Sequence, residues 1–279
     1  MSDSFVPKSY AFKFTGTTAM LMHADDVEAA DRLQAWRKDP SNNELSVPGD
    51  DRSPPWTWRT YLYAGEIDGV RQVVIPSSNV MAALRYAGSQ MTLKGNKTFK
   101  KLSQSGIAIL DEFCALKVGL GPIEHAPVID AEYARLAGLM PNEGESYEAL
   151  AARHAAELGV DVGKPHPGFG LRPILASDID AIPEMMKYRD QVTQCRKLGF
   201  NLYAKRAPVG KSKHVRCRPR FEVWEVTGTL KVTQEAIDDK ILTTMLNIAG
   251  EQSGLGDWRP SSPLSPGPFG QFTVDLKAV

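Results

Sequence analysis

The stretch RFEVWEVTGTLKV, residues 220–232, alternates in character along its length. Phe221, Val223, Glu225 and Thr227 share one side of an extended chain, and Glu222, Trp224, Val226 and Gly228 the other. Its aromatic and β-branched content makes it a strand with one buried face. Residues 233–249 follow with Ile237, Ile241, Met245 and Ile248 at helical spacing, Glu235 in the first turn, and Gly250 placed as a C-cap. Residues 269–276, FGQFTVDL, set Phe272, Val274 and Leu276 on one face of a closing strand. The last third therefore reads strand, helix, strand.

A similar unit stands nearer the N-terminus. Residues 10–22, YAFKFTGTTAMLM, read as a strand. Residues 71–75, RQVVI, form a short strand stopped by Pro76, after which Ser77 or Ser78 is placed to cap a helix by accepting from its first-turn amides. Val80, Met81, Leu84 and Ala87 carry that helix to about Gln90. Residues 94–101 read as a basic loop and residues 106–116, GIAILDEFCAL, as another strand. The order strand, helix, strand, strand, helix, strand is the ferredoxin-like (RRM-type) β-α-β-β-α-β plan, an α+β fold. We expect one domain over residues 1–279 with two long insertions, residues 23–70 after the first strand and residues 118–200 within the core.

Within the first insertion, residues 24–37 read as a helix. The remainder, with Pro40, Pro48, Pro54 and Pro55, reads as a mobile loop. Trp36, Trp56 and Trp58 there are either interface anchors or staples holding the insertion down. In the second insertion, residues 145–158 have high helix propensity and residues 165–173 are turn-rich. Residues 201–210 suggest a further short strand, and residues 211–216 a loop tip.

A chain that is 42% hydrophobic and 24% charged has the material for a sizeable core. The 33 basic and 33 acidic side chains cancel, which argues against a uniformly basic surface. The charges are segregated, however. Residues 81–105 carry Arg85, Lys94, Lys97, Lys100 and Lys101 and no acid; residues 205–220 carry Lys205, Arg206, Lys211, Lys213, Arg216, Arg218 and Arg220 and no acid. Lysines and arginines gathered in this way suit the phosphates of a single strand, which they hold by releasing counterions. Any one of them alone reads as an ordinary solvated side chain. Phe200 or Tyr203, near the second basic stretch, is suited to wedge between bases, and core packing is the plainer role for at least one of them.

Cys114, Cys195 and Cys217 are widely spaced and odd in number, a pattern suited to a reducing cytoplasm rather than to disulfides or zinc. No apolar run is long enough to span a bilayer, so no membrane association is expected. His125, His154, His166 and His214 lack metal-ligand spacing, and no phosphate-binding loop or dinucleotide fingerprint occurs, so no cofactor is expected.

Two segments carry a family resemblance. VIPSSNVMAALRYAG, residues 74–88, resembles the proline-serine turn that opens the first helix of RAMP-superfamily proteins, with Ile75, Pro76, Ser77, Ser78, Leu84 and Arg85 matching. GEQSGLGDWRPSSPLSPGPFGQFTV, residues 250–274, resembles the family's glycine-rich loop before the last strand, with Gly254, Gly256, Gly267 and Gly270 in the comparable region. The loop departs from the family in holding Pro260, Pro263, Pro266 and Pro268 and a single base, Arg259. Gly254 and Gly256 also read as permitting a tight backbone path, and Trp258 as packing that loop on the core.

The resemblance implies a backbone subunit of a CRISPR effector complex. Such a subunit binds a guide RNA and its complementary nucleic-acid target, oligomerises with copies of itself and contacts other effector-complex subunits. A phage or prophage relative that binds single strands is the alternative of the same shape. The implied RNA-binding residues are Ser77, Ser78, Arg85, the two basic stretches, Gly254, Gly256 and Arg259. The resemblance also offers candidate groups for RNA cleavage. His23 would be a general base, and Asp25 or Asp26 would hold a metal ion. The plainer reading of Asp25 and Asp26 is as caps of the next helix.

Overall fold

The structure, a computed structural model, describes residues 5–119, 140–147, 149–150, 152–153, 171–209 and 212–279. The helix expected over residues 145–158 is described only in part, with residues 147, 149, 150, 152 and 153 helical. Of the turn-rich segment 165–173, residues 165–170 lie outside the described residues, as does Lys211.

Alternation along β1 (Lys8–Gly16) buries Tyr10, Phe12 and Phe14 and leaves the intervening residues on the opposite face. β1 lies between β11 (Val223–Val232) and β12 (Phe272–Ala278), antiparallel to both. β11 in turn pairs with β8 (Phe113–Gly119), which pairs with β4 (Val70–Pro76) and, beyond it, β3 (Ala64–Ile67). The order is β12-β1-β11-β8-β4-β3, with β7 (Ile107–Ile109) also on β11. Two antiparallel steps make β1 parallel to β8 with β11 between them. The same logic makes β11 parallel to β12 with β1 between them. The fold is thus mixed helix and sheet built on a multi-stranded antiparallel sheet, the α+β class read from the sequence.

Two helices, α2 (Ser77–Gln90) and α6 (Asp239–Ile248), pack against each other. They share the core with the sheet: Val80, Ala83, Leu84 and Ala87 from α2, and Leu242, Met245 and Leu246 from α6, join Phe12, Phe14, Leu116, Trp224 and Leu230. Phe14 stacks on Phe12 at 4.5 Å and on Phe272 at 4.4 Å. Trp224 is fully buried, and its indole N–H donates to the Thr18 carbonyl at 2.9 Å. Truncating such a residue costs roughly 3–5 kcal/mol. Gly16 makes room for it, since a Cβ there would sit 2.4 Å from the indole.

Several boundaries differ from the sequence reading, each for a local reason. Residues 10–22 break into β1 and β2 (Met20–Leu21), because the chain turns at Thr17 and Thr18 to meet Gln271. Residues 106–116 break into β7 and β8, and Asp111 closes the gap by accepting from the Thr229 amide. The last helix begins at Asp238, whose carboxylate caps Ile241 N–H, and not at residue 233. Its buried stripe is Leu242, Met245 and Leu246 rather than Ile241 and Ile248. Gly250 lies within a π turn, Ala249–Ser253, and the left-handed residue ending it is Gly254, at φ 72°. The segment 94–101 is not a loop: it is a hairpin, β5 (Thr92–Lys94) and β6 (Lys97–Thr98), followed by α3 (Lys100–Ser105).

The first insertion holds α1 (Val27–Lys38) and then a segment anchored by buried Trp56 and Trp58. Trp58 Nε1 donates to Gln191 Oε1 at 2.6 Å, so the staple reading of these tryptophans is the observed one. Gln191 lies on α5 (Tyr188–Lys197), which follows the short α4 (Ala176–Asp180). α5 leads into a long antiparallel hairpin, β9 (Asn201–Val209) and β10 (Ser212–Phe221). Residues 212–216 are therefore strand and not a loop tip. β2 joins this hairpin in a second, three-stranded sheet of order β2-β10-β9. Among the described residues, no helix is long and apolar enough to cross a membrane.

Candidate nucleic-acid interface

Strand alternation does the first work of the site. In the β9–β10 register Arg218 faces Tyr203 and Arg216 faces Lys205, so the two cross-strand pairs share one side of the hairpin. A Lys opposite an Arg is repulsive by itself. The structure supplies the missing anions from elsewhere in the chain. Asp51, from the first insertion, receives Arg216 Nη1 on Oδ1 at 3.3 Å and Arg218 Nη1 on Oδ2 at 3.2 Å. The Cys217 amide and the Tyr61 hydroxyl donate to the same carboxylate at 3.3 and 3.1 Å. Asp257 receives Arg218 Nε at 3.1 Å. The basic stretch is thus acid-free in sequence but not in space.

Burial separates the two arginines. The Arg218 side chain is 11% exposed and held by both acids, whereas Arg216 is 39% exposed and meets Asp51 alone among the ion pairs of the described residues. Arg216 is the one free to turn outward.

The facing wall is the glycine-rich loop, residues 254–270. Three positive-φ glycines set its path: Gly254 at 72°, Gly256 at 79° and Gly270 at 78°. A Cβ on Gly256 would lie 2.2 Å from the Leu21 carbonyl oxygen, and one on Gly270 1.9 Å from that of Leu255. Backbone bonds fasten the loop to β2 and to the chain before it: Asp257 N–H to Leu21 O at 2.8 Å and Gly270 N–H to Ala19 O at 2.8 Å. Gly254 and Gly256 therefore shape the wall through packing. Arg259 crosses the loop, donating to the Gly256 carbonyl at 2.8 Å and the Ser261 hydroxyl at 3.0 Å.

Between hairpin and loop lies a groove of about 660 Å³. Lys205, Arg206, Arg216, Arg218 and Arg259 line it, with Asp257 as the single lining carboxylate among the described residues and Tyr203 and Trp258 as its aromatic surfaces. Arg220 sits beside it, over the Tyr203 ring at 5.5 Å and paired with Glu222 at 2.8 Å. The groove is within the size range of ordinary ligand sites, about 300–1,000 Å³. Its chemistry suits a polyanion that carries flat apolar groups.

His23 stands just past β2, 3.8 Å from Asp257. Partial burial first, and the Arg218 guanidinium second, hold its imidazole below the ordinary histidine range, against the opposing pull of Asp257, Asp25 and Asp51. Asp26 caps α1, its carboxylate accepting from the Ala29 amide at 3.2 Å, and Asp25 is exposed. Among the described residues no group of three or more His, Cys, Asp or Glu is placed to hold a metal.

The other described sequence candidates do not line this groove. Lys213 is exposed on β10. Ser77 and Ser78 open α2, but its N-cap is Pro76 with no side-chain cap, and the Ser77 amide donates to Glu112 O instead. Arg85 is exposed on α2, Lys94 and Lys97 on the β5–β6 hairpin, and Lys100 and Lys101 on α3. α2 packs against α3 and against the π turn from which the glycine loop departs. The sequence reading missed Asp51 and Asp257, whose role depends on contacts with β10 across 165 and 39 residues.

No protein-family model matches the chain, and no curated protein matches it. Solved structures with slight similarity include the following two. One is the crystal structure of Cmr6 from Pyrococcus furiosus, at 10% identity over 97% of this chain and 99% of that one, with a TM-score of 0.31. The other is a chain from "CRISPR RNA-guided surveillance complex, pre-nicking", at 8% identity over 97% of this chain and 78% of that one, with a TM-score of 0.30. Neither likeness carries weight for the site, which rests on its own geometry.

Proposed function

We propose that this chain binds single-stranded RNA in the groove between β9–β10 and the glycine-rich loop, on a ferredoxin-like core of RAMP type. The observation that carries the reading is the groove itself, with five cations, one lining carboxylate and two aromatic surfaces in about 660 Å³. The RAMP-like segments at residues 74–88 and 250–274 supply the finer proposal. In it, copies of the chain line up along a guide RNA in a cytoplasmic effector ribonucleoprotein, each holding a few phosphates and leaving bases to pair with a target. Arg85 and the lysines of β5, β6 and α3 are proposed to meet a strand that extends beyond the groove.

Titration of a labelled uridine oligomer by anisotropy tests the reading. Groove cations that neutralise two or three phosphates give a log–log salt slope of about −1.4 to −2.1 on a single strand. Binding that is absent, or indifferent to salt, removes the proposal. A matched deoxyribo-oligomer bound equally well would favour the phage-type single-strand binder, because the 2′-hydroxyl distinguishes the two. One observation favours a second reading, RNA cleavage: His23 stands 3.8 Å from the lining Asp257, and burial and Arg218 lower its pKa, which favours the neutral form that a general base uses. Loss of cleavage in His23→Ala with binding intact would support it.

A further inference from the structure

The charge of the groove leaves Trp258 unexplained. Its backbone stands at φ 48°, a region that a bulky residue enters only when its surroundings hold it there. They do so. The Asp257 carboxylate accepts the Trp258 amide at 2.8 Å. The loop also folds back so tightly that a Cβ on Gly267 would lie 2.1 Å from the Trp258 carbonyl oxygen and 2.3 Å from its ring. The result is an indole that lines the groove and is only half-buried, whereas Trp56, Trp58 and Trp224 are all 2% exposed or less.

The neighbours of that indole form a ledge. Trp258 leans on Phe269 at 5.5 Å, and Phe269 on Tyr203 at 5.7 Å. Lys205 Nζ stands over the Trp258 ring, 3.9 Å from its centroid. Leu264, 98% exposed, presents a further apolar group to the same space from a loop holding Pro260, Pro263, Pro266 and Pro268.

We infer that Trp258 is a stacking platform for an unpaired base, and that Lys205 moves from the indole to a phosphate as the base takes its place. The inference rests on the nucleic-acid reading of the groove and adds a requirement to it. An ammonium over a partly exposed ring is a weak contact, while a stacked base together with an ammonium–phosphate pair is a stronger set. The exchange needs a base and a phosphate on the same short length of strand. It selects single strands, because a paired base already has both faces stacked within a duplex. It is tolerant of sequence, since every base offers a π face.

The test compares a uridine oligomer with an abasic oligoribonucleotide of equal length and charge. Wild type should bind the uridine oligomer about tenfold or more tightly. Trp258→Gly removes the ring and suits the positive φ; it should bring the ratio of affinities close to unity, and Trp258→Phe should keep it. A wild-type ratio near unity, or a ratio unchanged in Trp258→Gly, overturns the stacking role. Abasic binding as tight as uridine binding removes this inference and leaves the nucleic-acid reading standing. Failure of wild type to bind either oligomer removes both.

Discussion

Replacing Asp51 with asparagine keeps the shape of the side chain and removes the charge on which Arg216 and Arg218 converge. The Asp51 side chain is 8% exposed and Arg218 11%, so their contact at 3.2 Å is shielded from water. Hydrogen bonds to charged groups in such places contribute about 1.5–3 kcal/mol. Arg216, more than a third exposed, adds no more than about 1 kcal/mol. Arg218 retains Asp257 at 3.1 Å, which keeps the loss below the roughly 3–5 kcal/mol of a buried pair broken outright. Asparagine still offers an oxygen to the Cys217 amide and the Tyr61 hydroxyl. Asp51→Asn should therefore cost about 2–3 kcal/mol, lowering Tm by about 3–5 °C in a chain of this size. Urea denaturation followed by tryptophan fluorescence measures it. The same change leaves the groove more positive, so RNA affinity at low salt should hold or rise while stability falls. A stability loss under about 0.5 kcal/mol, or affinity falling in step with stability, would refute the role given to this carboxylate.

Gly270→Ala should cost at least about 2 kcal/mol, seen as a lower Tm or as insoluble protein, since a Cβ would meet the Leu255 oxygen at 1.9 Å on a backbone of positive φ. Burial first, then the Asp239 hydrogen bond, push the Tyr10 phenol up to about 12, and burial first pushes Tyr61 to about the same value. Their raised values favour the protonated form, so the stability they contribute is full below the unfolded value near pH 10 and is lost as pH rises through 12. Absorbance at the tyrosinate band should show both un-ionised in the folded chain at about pH 11, and ionisation there with the free tyrosines would contradict it. Lys97→Glu with Lys101→Glu should weaken binding of a long RNA and leave a short one unaffected; equal weakening of both would place these lysines at the groove.

Much of the fold could be read in the sequence, because it rests on patterns spanning a few residues. The alternation of β1 and β11, the proline-serine start of α2 and the last strand all lie where periodicity puts them. The β3–β4 hairpin was missed although Asp68-Gly69, both at positive φ, is a strong two-residue turn signal. The β9–β10 ribbon was harder. Pro208 and Pro219 in its sequence speak against strands, and its alternation is of charge and aromatics rather than of apolar residues. The candidate site was legible as a supply of cations and not as a place. Arg85 and Arg216 carry the same signal in the sequence, and only the pairing of strands puts Arg216 in the groove and leaves Arg85 outside it. The acids that tame the arginines left no mark, because nothing local at Asp51 points to β10.

The lacing of the glycine loop to β2 has a consequence for the order of assembly. Ala19 and Leu21 supply carbonyls to Gly270 and Asp257, partners roughly 240 residues further along the chain. Contacts so distant in sequence are slow to form, because the long intervening chain must close first. During synthesis, the wall that carries Trp258 has no partner-locked shape until residue 270 is available to meet residue 19. The groove therefore takes its full shape only once the two ends of the chain have met.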